Sequence, residues 1–159
     1  MDFAMDDVSA LTPVERAFLV ELKARGVRFM VVGLGAAVLQ GANTSTQDID
    51  LWFEQTTDPR IGEAATAVGG IWVSGSFGMR PPQIGGDIGH RLDVVTHMHG
   101  LARFADELVN MIEIEVDGTS LPVLKLERII ASKRAAGRTK DLSVIPALEE
   151  ALAARSGRG

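Results

Sequence analysis

Apolar residues fall at helical spacing near the start of the chain, where Val14, Phe18, Leu19 and Leu22 recur three and four residues apart. Thr12 precedes the stripe as an N-cap, Pro13 takes the first helical position and Glu15 stands three residues beyond the cap. Gly26 ends the helix. Residues 27–32 read as a buried strand, Gly33-Leu34-Gly35 breaks it, and 36–40 form a short helix closed by Gly41. From 48 to 54 the pattern alternates: Ile49, Leu51 and Phe53 face one way, and Asp48, Asp50, Trp52 and Glu54 the other. Asp58 caps a helix that runs to Val68, and Gly69-Gly70 stops it. A strand follows at 71–73, then a Gly- and Pro-rich irregular loop at 75–89, a strand at 91–96 containing Asp93, and a brief helix at 104–110.

Residues 111–116 and 121–124 flank Asp117-Gly118-Thr119-Ser120, a hairpin signal. Two helices close the chain, at 124–136 and 140–154, with Gly137 between them. Pro146 lies inside the second and is expected to kink it or delay its start. Mixed strands and helices with a hairpin imply an α/β (α+β) fold built on a single mixed sheet with flanking helices. No repeat, low-complexity tract or linker divides the chain, so 159 residues make one domain, with 1–10 and 156–159 expected to be disordered.

Composition narrows the function classes. Apolar residues are 46% of the chain, yet the longest apolar or Gly run, 29–39, is too short to span a bilayer. The N-terminus is acidic where a signal peptide would be basic, so a soluble, cytoplasmic protein is expected. With no cysteine, disulfides, thiolate metal sites and Cys nucleophiles are excluded. A net charge of −5 argues against a protein that coats nucleic acid. Residues 125–159 carry eight Lys/Arg against four Asp/Glu, a net +4, which leaves −9 on residues 1–124. An acidic body with a basic end suits carboxylates holding a cation beside basic groups holding phosphate; a solvated basic helix face is the plainer alternative.

The acids carry the chemistry. Asp48 and Asp50, two apart on a strand, project from one face; their mutual repulsion is relieved by a hard divalent cation with oxygen ligands. A solvent-exposed strand face that happens to carry two acids is the competing reading. Asp93 sits between Leu92 and Val94 on a later strand, where a charge needs a partner unless the strand is an edge. The Gly33-x-Gly35 turn before a helix offers backbone N–H groups to an anion. Near the end, Leu126, Ile129 and Ile130 form a stripe that Lys133 continues, so Lys133 either snorkels or meets a buried anion. Asp141 lies on the stripe of Ile145, Leu148 and Leu152 and is placed to pair with Lys133 or Lys140, while Arg138 and Lys140 read as surface charges. His97-x-His99 reads as a polar turn, with metal chelation the alternative. Ser74, Ser76 and His90 form a nominal nucleophile and base without a nucleophile elbow. Trp52 shares the acids' face and is placed to stack on a base, or else belongs to the core.

The stretch Val31-Val32-Gly33-Leu34-Gly35, the short helix after it, and Thr46-Gln47-Asp48-Ile49-Asp50-Leu51 resemble the DNA polymerase β-like nucleotidyltransferase superfamily. The ending Lys133-Arg134-Ala135-Ala136-Gly137-Arg138-Thr139-Lys140-Asp141-Leu142 is similar to that of small bacterial members, including the abortive-infection toxin-like branch. The resemblance implies the polymerase β-like fold and a metal site of Asp48, Asp50 and Asp93 holding Mg²⁺ or Mn²⁺. It also implies a nucleoside triphosphate bound by Gly33, Gly35, Thr46, Lys133 and Asp141, with an acceptor hydroxyl on tRNA, a protein or a small molecule. The chain departs from the family at Leu34, where relatives carry a small residue, at Gln40, often His, and at Thr44, often basic. Leu34 is the argument for the alternative, a non-catalytic binding or antitoxin-like partner.

Overall fold

The computed structural model describes residues 11–73, 75 and 82–157. Helix α1 (Pro13–Ala24) opens with the full reciprocal capping box: the Thr12 hydroxyl accepts the Glu15 N–H at 3.2 Å, and the Glu15 carboxylate accepts the Thr12 N–H at 3.0 Å. Strand β1 (Phe29–Val32) is buried along its whole length. The chain then passes directly into α2 (Gly33–Leu39), so the glycines expected to break the strand form the helix's first turn instead. Gly33 makes this join possible because its φ of 69° lies in the region glycine reaches without strain.

Strand β2 (Ile49–Phe53) is followed by α3 (Pro59–Ala67), capped as expected by Asp58, whose carboxylate accepts the Arg60 N–H at 2.9 Å. Strand β3 (Ile71–Val73) pairs with β4 (Gln83–Gly85), which lies in the segment the sequence reads as irregular. A single 3₁₀ turn, Asp87–Gly89, leads to β5 (Leu92–Val95). Short helix α4 (Phe104–Glu107) precedes the hairpin of β6 (Met111–Val116) and β7 (Thr119–Leu124). Its turn is only two residues, Asp117 and Gly118, both at positive φ, the backbone that a tight hairpin of this kind demands. Two helices finish the chain, α5 (Leu126–Ala136) and α6 (Thr139–Gly157). Helix α6 starts well before Pro146, so the proline does not delay it, and it continues through Ser156 and Gly157. The expectations for 1–10, 158–159, Ser74 and Ser76 lie outside the described residues.

The main sheet has the order β5-β2-β1-β7-β6 and is mixed: β1 is antiparallel to β2 and parallel to β7, β2 is parallel to β5, and β6 is antiparallel to β7. The β3–β4 ribbon stands apart from it. Helix α1 packs on α3, and α2 and α6 both pack on α5. The core gathers Phe18, Met30, Val31, Leu51, Ile61 and Leu148, all fully enclosed.

Two buried polar ties hold the elements that carry the acids. Arg91, just before β5, donates through Nε to Glu15 at 2.9 Å, both side chains being 5% exposed. The same Glu15 closes the capping box, so one carboxylate joins α1 to β5. Gln40, at the end of α2, donates to Ala36 O and Leu124 O at 3.1 and 2.8 Å and accepts the Leu126 N–H at 3.0 Å. It fastens α2 to the β7–α5 junction, leaving its amide no N–H free to donate to a ligand.

Candidate functional site

Asp50 and Asp93 are register partners on the parallel strands β2 and β5, and Val32, the residue before Gly33, is the partner of Asp50 on β1. Neighbouring strands lie about 4.8 Å apart, so the carboxylates from two distant parts of the sequence stand side by side. Asp48 lies one residue before β2 and is exposed. Its backbone N–H is held by the Thr46 hydroxyl at 3.2 Å, which orients the approach to the acid pair.

The Asp50 carboxylate is pressed against the first residue of α2. A Cβ at position 33 would overlap Asp50 Oδ2, so glycine is required there by contact as well as by φ. Burial, then the facing Asp93 and the nearby Asp48, push the Asp50 carboxyl up to about 6, while Lys133 opposes the rise. Asp93 is also raised, first by burial and then by Asp48. The three acids therefore repel one another across the sheet edge with one lysine to offset them.

Asp50 opens into a cleft of about 210 Å³ shared with Gly33, His97, His99, Lys133 and Arg138. Beneath the two cations lies Asp141, 1% exposed, which accepts from Lys133 Nζ at 3.3 Å and from Arg138 Nε and Nη2 at 2.6 and 3.2 Å. The Arg138 hydrogen bonds draw the Asp141 carboxyl down to about 2. Its oxygens are committed to the cations, so Asp141 aims Lys133 and Arg138 at the cleft. Arg138, read from the sequence as a surface charge, is exposed, as is Lys140, and it also borders the cleft. On the outer side of β5, Asp93 borders a second hollow of about 430 Å³ formed with β4.

Leu34 packs against the hydrophobic core, and Gly33, not Leu34, lines the cleft. Its isobutyl group does not obstruct the space beside Asp50. Trp52, placed by alternation on the acids' face, is 2% exposed and meets Phe104 edge to face at 5.5 Å; it belongs to the core. His90 borders a separate hollow near Glu15. The sequence reading missed Arg138, His97 and His99 as partners of one cleft. The available signal was the two-residue alternation Asp93, Val95, His97 carried past the end of β5.

Among the described residues no three His, Asp or Glu side chains draw close enough to cage an ion unaided. A magnesium ion does not need such a cage, since it binds through one or two carboxylates and completes its shell with water and substrate phosphate. The mutually repelling, oxygen-only set of Asp48, Asp50 and Asp93 fits that chemistry.

No protein-family model matches the sequence, and no curated protein matches it. Solved structures do share its fold. The crystal structure of ANT(2″)-Ia in complex with adenylyl-2″-tobramycin superposes with a TM-score of 0.59 at 16% identity, over 88% of each chain. The solution structure of the same antibiotic-resistance factor gives 0.57 at 16% identity, over 91% of this chain and 90% of that one. An antigenic nucleotidyltransferase-like protein from Paracoccidioides brasiliensis gives 0.58 at 17% identity, over 92% and 77%. The chain has the nucleotidyltransferase fold. No helix among the described residues is long and apolar enough to cross a membrane.

Proposed function

We propose that the protein is a metal-dependent nucleotidyltransferase that moves a nucleoside monophosphate from a nucleoside triphosphate to an acceptor hydroxyl. The observation that carries this reading is the register pairing of Asp50 with Asp93, with Asp50 and Gly33 lining a cleft that Lys133 and Arg138 also line. The fold shared with ANT(2″)-Ia supports it. The paired Asp50 and Asp93 would hold Mg²⁺, with Asp48 adding negative charge nearby and water and phosphate completing the shell; the ion when bound supplies positive charge against the triphosphate.

Lys133 and Arg138, fixed by Asp141, bind the polyphosphate and orient it. Gly33 leaves room for the Asp50 carboxylate next to the substrate. Asp93, at the exposed edge strand with a raised affinity for protons, takes the hydroxyl proton as the acceptor oxygen attacks the α-phosphorus. The new P–O bond forms as the bond to the β-phosphate breaks, and pyrophosphate leaves toward Lys133. Positioning and electrostatics supply the rate enhancement, as is general for phosphoryl transfer.

The adenylylated antibiotic in one structural neighbour makes a small-molecule alcohol the first acceptor class to try, ahead of tRNA or protein. Placement in a toxin-like branch rests on the 133–142 stretch alone. The test is pyrophosphate release from each nucleoside triphosphate, with Mg²⁺ or Mn²⁺ and a panel of polyol acceptors. Release that requires the metal and disappears in Asp50→Ala is expected; no metal-dependent binding of any nucleoside triphosphate would end the reading.

A further inference from the structure

The segment leaving β5 builds one wall of the cleft, with His97 and His99 both facing the space that holds Asp50, Lys133 and Arg138. Two contacts fix it on α5. Gly100 has a φ of 71°, and a Cβ there would overlap the Ala135 side chain, so the backbone rests directly on the helix. Farther on, Glu107 accepts the Ala102 N–H at 2.9 Å and the Arg128 guanidinium at 3.0 and 2.7 Å. The two imidazoles are exposed, 5.6 Å apart between centroids and inclined at 74°, so their N–H edges lie in crossed planes. Across from them, two cations share the single carboxylate of Asp141.

We propose that His97 and His99 form, with Lys133 and Arg138, a polyphosphate subsite that takes the two terminal phosphates of the nucleotide, the part that leaves as pyrophosphate. This rests on the nucleotidyl-transfer reading and assigns the cleft to one portion of that substrate. Donors arriving in crossed planes, with cations opposite, match the tetrahedral array of oxygens on a terminal phosphate. They do not match a flat nucleobase. Hydrogen bonds to a charged acceptor are the stronger kind, so two of them discriminate strongly.

The experiment is calorimetric titration of tripolyphosphate into the full chain without divalent metal, comparing wild type, the double variant His97→Ala/His99→Ala, Gly100→Ala and the control His90→Ala. Both histidines are exposed, so the double variant keeps its thermal midpoint. Affinity is expected to fall about tenfold or more in the double variant, to fall by less in Gly100→Ala, which keeps the rings and displaces them, and to hold in His90→Ala. Asp50→Asn, which removes a facing negative charge, is expected to bind more tightly than wild type. Absence of tripolyphosphate binding in the wild type, or equal affinity in the wild type and the double variant, overturns the proposal. Nucleotide turnover is read separately: histidine-dependent tripolyphosphate binding without pyrophosphate release from any triphosphate keeps the subsite and removes the transferase reading.

Discussion

Replacing Asp50 by Asn should make the metal-free protein more stable while abolishing its response to a divalent cation. The physical reason is the charge that the fold holds against its own interest. In the folded chain the Asp50 carboxyl titrates near 6 against an ordinary 3.8, chiefly through burial and the facing Asp93. That difference corresponds to about 3 kcal/mol at about 1.4 kcal/mol per pH unit, and solvent screening at a partly exposed site reduces it to about 1–2 kcal/mol. Because the folded value is raised, the folded state binds more protons than the unfolded one between about pH 4 and pH 6. Stability therefore declines as pH rises through that window, and the full penalty is present at pH 7. Asn has nearly the same shape and no charge. Scanning calorimetry in chelator at pH 7 should show the variant melting roughly 2–8 °C above wild type. The gap should close as pH falls toward 4. Mg²⁺ should raise the wild-type midpoint beyond what a nucleoside triphosphate alone achieves, and should add nothing in the variant. A variant that melts lower than wild type at pH 7 in chelator, or keeps the same offset from pH 4 to 7, would refute the reasoning.

Gly33→Ala is expected to cost about 1–3 kcal/mol through its positive φ and to push Asp50 aside, so thermal midpoint and Mn²⁺ affinity should fall together; an unchanged Mn²⁺ affinity would detach Gly33 from the site. Glu15→Gln removes one partner of a buried ion pair with Arg91 and should destabilise by about 3–5 kcal/mol in urea denaturation. Glu107, drawn down to about 2 by Arg128, gives stability that is complete above the unfolded value near 4 and lost as pH falls through 4 toward 2. Glu107→Gln should melt lower at pH 7 and flatten that acid limb in a pH series of thermal melts.

The elements legible in the sequence are those whose signals are local. The Thr12–Glu15 box, the Asp58 cap and the Asp117-Gly118 turn each specify backbone through side chains or φ within four residues, and each is present. Alternation likewise put Asp50 on β2, although Asp48 falls one residue before the strand. What alternation does not encode is what covers a strand face. Trp52 shares the parity of Asp50, yet Phe104 arrives from some fifty residues away to bury it. The register that sets Asp50 beside Asp93 depends on pairing between β2 and β5, which follows from the whole sheet. Gly33 read as a breaker because glycine interrupts most patterns, whereas here its freedom of φ starts a helix. Strand β4 is three residues in a Gly/Pro-rich stretch, held by pairing with β3 more than by its own propensity. Arg138 is the exposed charge the sequence suggests, but its tie to Asp141 was not legible because that carboxylate is buried only by the α5–α6 packing.

The central claim is that carboxylates from β2 and β5 jointly hold a divalent cation together with a triphosphate. Anomalous diffraction from a crystal grown with Mn²⁺ and a non-hydrolysable nucleoside triphosphate tests it most directly. The account predicts a manganese peak between Asp50 and Asp93, within reach of Asp48, with the terminal phosphates running toward Lys133. A peak anywhere else on the molecule, or ordered nucleotide with no manganese at these acids, would contradict it.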